Sequence, residues 1–305
     1  MHYRLVQSFF AILFSLIFVA CTPSITQQPT VNNTQNTADR VVALTSLAAD
    51  IIYQLDKTKL VGISGTQLIN NDIRFQDIPR VSEGRTQPNL EKILALKPDL
   101  VIGASGFTDS TTQRLKQLNI NTLETKTNSW QALEELTKSL AQQIGADPQP
   151  LLKRYQSFLS TTQANTSQSN SKTNNISTLV LVSLQPILAP NKNSWAGDML
   201  QQFNVNNIAA ELQGKSPIPG YLTLSAEKIL ETNPDTIIVV NSPQAGSGNE
   251  VINGLKKQAF WQKLKAVQTN QVYVFEYNGL VNPGSIDSIE KAAQKLQEIV
   301  KTEDK

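Results

Sequence analysis

Histidine and cysteine are almost missing from this 305-residue chain: the one His is His2 and the one Cys is Cys21. His2 belongs to a leader. Arg4 gives a positive start and residues 9–20 (FFAILFSLIFVA) form a short apolar run. That run is shorter than the roughly 18–20 residues a membrane-spanning helix needs, so residues 1–20 read as a secretory signal. Without them the chain holds no His. That excludes zinc sites built on His or Cys, Ser-His-Asp and Cys-His nucleophile systems and iron–sulfur ligation. Carboxylate, Tyr and Lys chemistry stays open, but the commonest tools of an enzyme are gone, and a non-enzymatic role is expected. An excess of either charge is lacking too. Loss of Arg4 leaves 26 basic against 25 acidic side chains, and nonspecific nucleic-acid binding needs a clustered positive field.

Large apolar side chains are scarce in residues 21–39, where TPSITQQPTVNNTQNTAD follows Cys21. Such a segment cannot bury a core and reads as a flexible tether. The folded part begins near Arg40. Short β-branched runs (Val41–Leu44, Leu60–Ile63, Leu179–Val182, Val272–Phe275) alternate with helical patterns at 48–55, 110–118, 130–144, 195–203 and 285–301. Alternation of this kind implies an α/β fold with parallel sheets. Residues 147–164 carry one long amphipathic stripe, Leu151, Leu152, Tyr155, Phe158 and Leu159. The expected division is an N-terminal lobe at 40–145, an interlobe helix and polar loop at 146–175, and a C-terminal lobe at 176–305.

What the chain does have is a motif that appears twice. PNLEKILALKPDLVIG (88–103) and LSAEKILETNPDTIIV (224–239) align with a constant offset of 136 residues. Self-similarity of this kind marks a repeated unit. Asn89 and Ser225 are N-cap types, Glu91 and Glu227 fall in the first turn where the helix dipole favours a carboxylate, and Pro98 and Pro234 stop the helices. Two similar lobes leave a cleft between them.

These segments carry a family resemblance. RVVALTSLAADIIYQL, GRTQPNLEKILALKPDLVIGASG and FWQKLKAVQTNQVYVFE closely resemble the substrate-binding proteins of ABC importers for iron–siderophores, haem and vitamin B12, over nearly all of residues 40–300. The resemblance implies two Rossmann-like lobes joined by one long interlobe α-helix, a class III binding protein. It implies a monomer without a cofactor, whose ligand is a ferric siderophore of hydroxamate type, with cobalamin or haem as alternatives. The partners implied are a permease dimer and its ATPase, with Glu91 and Glu227 docking onto the permease. Ile17–Cys21 resembles a bacterial lipoprotein box. Lipidation at Cys21 would then tether the protein to a membrane, in the cell envelope and facing the periplasm or cell exterior.

Ligands of open α/β sheets sit beyond the carboxyl ends of strands. Arg85 and Tyr221 each lie six residues before the motif Glu, so the repeat predicts that they face each other across the cleft. The resemblance gives Arg85 a siderophore contact and Phe107 an aromatic place in the wall. Trp195, Tyr221, Tyr277 and Asn278 are the candidates on the second lobe, and Arg74 is a further candidate on the first. Aromatic walls with a few polar groups suit a large, partly apolar chelate.

Overall fold

The computed structural model describes residues 37–84, 86–166, 176–212, 214, 216, 218–241 and 248–303. The proposed signal, the tether up to residue 36, Cys21 and Arg85 lie outside these residues. Among the described residues no helix is long and apolar enough to cross a membrane.

The N-terminal lobe is built on five parallel strands: β1 (Val41–Ala43), β2 (Leu60–Gly65), β3 (Arg80–Glu83), β4 (Leu100–Ala104) and β5 (Asn121–Thr125). Their order is β3-β2-β1-β4-β5, with Val41 opposite both Leu60 and Leu100. β1 is buried along its whole length, as a central parallel strand covered on both faces must be. The C-terminal lobe comprises β6 (Ser177–Leu181), β7 (Ser183–Leu184), β8 (Ile187–Pro190), β9 (Asn206–Asn207), β10 (Tyr221–Thr223), β11 (Thr236–Asn241) and β12 (Val272–Glu276). Four of these form a parallel sheet, β12-β11-β6-β9, and the other three form an antiparallel sheet, β10-β8-β7. The sequence pattern predicts parallel sheets alone. The antiparallel sheet is hidden in it because β6, β7 and β8 run together as one apolar stretch, LVLVSLQPILAP. Between the lobes runs the helix Gln149–Thr166, which buries Leu151, Leu152, Tyr155 and Phe158.

The repeat is realised in matching caps, turns and carboxylate contacts. Asn89 Oδ1 accepts from the Lys92 N–H at 3.0 Å and Ser225 Oγ from the Lys228 N–H at 3.2 Å. Each helix ends on a residue in the left-handed region just before its Pro, Lys97 at φ 48° and Asn233 at φ 41°. The Asp that follows each Pro secures the start of its lobe's first strand. Asp99 accepts from the Asp39 and Arg40 N–H groups at 2.8 and 2.9 Å, and Asp235 from the Ser177 N–H at 2.9 Å.

The lobes are not independent. One apolar cluster runs through both, from Val41 and Ile51 by way of Trp130, Tyr155 and Phe158 to Trp195, Phe203 and Ile289. Trp130 stacks on Trp195 with centroids 6.1 Å apart and meets Tyr155, Phe158 and Phe203 edge-on. Such pairs add about 0.5–1.5 kcal/mol each beyond area burial. Two carboxylates are exchanged across this junction. Asp50, on the first-lobe helix Ser46–Asp56, accepts the Ile286 N–H that opens the last helix of the second lobe, at 2.7 Å. Asp198, on the second-lobe helix Trp195–Gln202, accepts the Trp130 N–H that opens the last helix of the first lobe, at 2.6 Å. Each fills an orphan donor at a helix N-terminus, where a negative charge is also favoured by the dipole.

Candidate functional site

Two cavities adjoin at Tyr277. The first lies between the lobes, with a volume of about 600 Å³. Ser46, Thr66, Gln67, Leu68, Asn71 and Gly84 line it from the N-terminal lobe, and Asn241, Glu276, Tyr277, Asn278 and Asn282 from the C-terminal lobe. These residues follow the carboxyl ends of β1, β2, β3, β11 and β12, the position where parallel sheets hold ligands. The second cavity, about 780 Å³, belongs to the C-terminal lobe. Its walls include Leu181, Ile187, Leu188, Ile218, Tyr221, Val240, Leu255, Phe260, Tyr277 and Val281, with Glu250 and Gln258 among its polar groups.

Local sequence explains how the polar cavity is shaped. Thr45 caps the Ser46–Asp56 helix and Thr66 caps the helix Gln67–Asn70, so each chain turns sharply as it leaves β1 and β2. The Ser46 and Thr66 hydroxyls then meet at 2.8 Å. On the other wall, Tyr277 and Asn278 are carried by a turn that passes through Gly279 at φ 98°. A Cβ on Gly279 would lie 2.1 Å from the Ser288 carbonyl oxygen, so only glycine fits there. Asn282 Nδ2 donates to Asn278 Oδ1 at 3.1 Å. Gly284, at φ 61°, brings the second lobe against the Leu68 side chain.

The structure sorts the sequence candidates. Tyr277 and Asn278 line the interlobe cavity, and Tyr221 lines the apolar one, where burial raises the pKa of its phenol. Trp195 is corrected: it is 3% exposed, lines neither cavity, and donates from Nε1 to the Gly279 carbonyl at 2.8 Å. It stands behind the wall and holds the turn that presents Tyr277 and Asn278. Arg74 is also corrected. Its guanidinium pairs with Asp50 at 3.0 Å, Asp72 at 2.6 Å and Asp287 at 3.1 Å, over the rings of Tyr53 and Phe75. Three carboxylates hold it at the lobe junction, and it lines neither cavity. Phe107 is 54% exposed beyond β4, where its carbonyl accepts from Gln87 at 3.4 Å, and it too is absent from both linings. Arg85 is outside the described residues, so the pairing expected with Tyr221 is not described.

Sequence reasoning overlooked Ser46, Thr66, Gln67, Asn71, Asn241, Glu276 and Asn282. The available signal was a polar residue just after each apolar run. Glu91 and Glu227 are exposed, one in the first turn of the helix Leu90–Ala95 and the other in the first turn of Ala226–Thr232. The Glu227 carboxyl is held below the usual range by its own backbone N–H and by the Ser225 hydroxyl. Among the described residues no cluster of three His, Cys, Asp or Glu side chains could hold a metal ion.

What this arrangement can do is enclose a solute by hydrogen bonding on one side and apolar contact on the other. Known proteins share the plan. An uncharacterised ABC transporter substrate-binding lipoprotein of Bacillus subtilis is 25% identical over 84% of this chain and 79% of its own length. The vitamin B12-binding protein of Vibrio cholerae is 26% identical over 93% of this chain and 96% of its own. The crystal structure of Staphylococcus aureus IsdE complexed with heme superposes with a TM-score of 0.69 at 21% identity, covering 86% of this chain and 98% of that one; a likeness at that identity speaks to the fold alone. The periplasmic binding protein family's sequence profile matches residues 41–277. Two α/β lobes around a cleft and a profile match across both of them lead to one conclusion: this chain belongs to the periplasmic binding protein family.

Proposed function

We propose that this protein is the solute-binding component of an ABC importer, and that it captures a ferric siderophore of hydroxamate type in the interlobe cleft. The observation that carries this reading is the pair of adjoining cavities, about 600 and 780 Å³, at the carboxyl ends of both lobes' strands. Together they suit a metal chelate rather than a single small ion or amino acid. The chelate brings its own metal ligands, so the protein needs no His to hold it. No reaction on the ligand is assigned. The exposed Glu91 and Glu227, placed alike on the two lobes, would dock onto a permease dimer driven by its ATPase. A lipid on Cys21 would keep the protein at the membrane within the cell envelope.

A second reading is cobalamin. It is favoured by the five carboxamides in the interlobe cavity, Gln67, Asn71, Asn241, Asn278 and Asn282, which match a corrin rimmed with amides. Calorimetric titration with ferric tris-hydroxamate, ferric citrate, haem and cyanocobalamin tests both. Submicromolar binding of the hydroxamate complex alone supports the first reading. Binding of cyanocobalamin alone replaces it with the second.

A further inference from the structure

We infer that the chelate taken by this protein carries an alkyl arm: its polar head fills the interlobe cavity, and the arm passes Tyr277 into the apolar cavity of the C-terminal lobe. The inference deepens the chelate-binding reading above and rests on it. Tyr277 lines both cavities, so a solute seated in the cleft lies beside the second one. The two differ in chemistry. Hydroxyl and carboxamide groups such as Ser46, Thr66 and Asn241 wall the first. Leu181, Ile187, Leu188, Val240, Leu255 and Phe260 wall the second, which has about 780 Å³ to fill. A ligand that occupies both is polar at one end and apolar at the other.

The apolar wall is built before any ligand arrives. Leu181 and Val240 belong to the parallel sheet, and Ile187 and Leu188 to the antiparallel one. Leu181, Leu255 and Phe260 also pack with Trp261 and Leu264 in the core of this lobe. Ile218 lines the same cavity yet is 45% exposed, and an arm laid over it removes apolar surface from water. One residue keeps the space open. Gly254 lies inside the helix Gly248–Lys256, four residues after Glu250, and both line the cavity; residues so spaced share one helix face. Among the described residues, no atom lies within 4 Å of the place a Cβ on Gly254 would take. Glycine destabilises a helix interior relative to alanine; what it preserves here is room. Each methylene buried in such a space is expected to raise affinity by about fourfold, less the cost of ordering the chain.

The test is calorimetric titration of the wild-type chain, Gly254→Leu and Ile218→Asn. The probes are one neutral ferric tris-hydroxamate made without an arm, with a butyl arm and with an octyl arm, and octyl glucoside as an alkyl chain without a chelate. Affinity should rise along the chelate series, with the octyl complex at least about thirtyfold tighter than the armless one. Gly254→Leu fills the cavity and should lower that octyl-to-armless ratio at least about tenfold. Ile218→Asn, at an exposed position that folding does not depend on, should lower it at least about threefold. Equal affinity with and without the arm overturns the inference and leaves chelate binding standing. So does a ratio that both variants leave unmoved. Octyl glucoside binding as tightly as the octyl chelate also overturns it, because the cavity then takes acyl chains at large. Failure of every chelate to bind, armed or armless, removes the chelate reading itself, and this inference with it.

Discussion

Replacing Asp50 separates two reasons why a buried carboxylate is kept. Its side chain is fully buried. One oxygen accepts the Ile286 N–H at 2.7 Å and the other meets Arg74 at 3.0 Å, while Gln54 donates to both at 3.1 Å. Burial raises the Asp50 pKa, and the Ile286 N–H, Arg74 and Gln54 only partly oppose it. The ionised form is thus held less well in the folded state than in the unfolded one. By linkage, the stability due to this group is fully present at low pH and is lost as pH rises through its raised folded pKa. Burial of the charge thus outweighs what the Ile286 N–H, Arg74 and Gln54 return to it, and the acceptor for Ile286 is the part of this group expected to matter most. Asp50→Asn keeps an acceptor for that N–H, and Arg74 retains Asp72 and Asp287. It should cost no more than about 1 kcal/mol at pH 7. Asp50→Ala strands the Ile286 donor and leaves a small void, which together cost about 2–4 kcal/mol. In a chain of this size that lowers Tm by about 4–16 °C. Thermal and urea unfolding followed by circular dichroism at pH 5 and 7 measure both. Equal losses for the two variants would refute this reasoning, because the ion pair with Arg74 would then be the stabilising element. The stability of wild type relative to Asp50→Asn should not rise between pH 5 and 7; a rise would mean that the folded state favours the ionised form.

Other outcomes follow from the same geometry. Changing Glu91 and Glu227 together to Ala should leave ligand affinity unaltered while abolishing uptake in cells; normal transport would defeat the docking proposal. Gly279→Ala places a Cβ 2.1 Å from the Ser288 carbonyl oxygen at a positive φ, and should destabilise by more than about 3 kcal/mol. Its Tm would show this, and any surviving fold should bind ligand poorly because the turn bearing Tyr277 and Asn278 is displaced. Trp195→Phe removes the indole N–H that holds the Gly279 carbonyl and should cost about 1–2 kcal/mol; an unchanged unfolding midpoint would show that this bond contributes nothing.

The repeat was the most legible part of the molecule because its determinants are local. A cap, a first-turn Glu, a Pro stop and a buried strand lie within sixteen residues, and each copy folds as its own sequence dictates. The position of the cleft was legible too, since the carboxyl ends of strands can be read from where the apolar runs stop. Side-chain direction was not. Trp195 follows a capping Ser194 and carries both an apolar ring and a donor, so wall and core are equally open to it until Gly279, 84 residues on, accepts its N–H. Arg74 is the same case. Its ties to Asp50 and Asp287 join parts of the chain that no local pattern links. The antiparallel sheet escaped for a third reason: strands of two to four residues carry too few alternations to establish a period.

The exchange of Asp50 and Asp198 between the lobes has a consequence for how this protein could be divided. A lobe made alone would begin its last helix on a bare donor, and would expose the ring cluster around Trp130 and Trp195 that its counterpart now covers. Half-chains divided after residue 166 should therefore be insoluble apart and recover the fold only when mixed. The two halves, alike in plan, each supply what the other needs to begin its last helix.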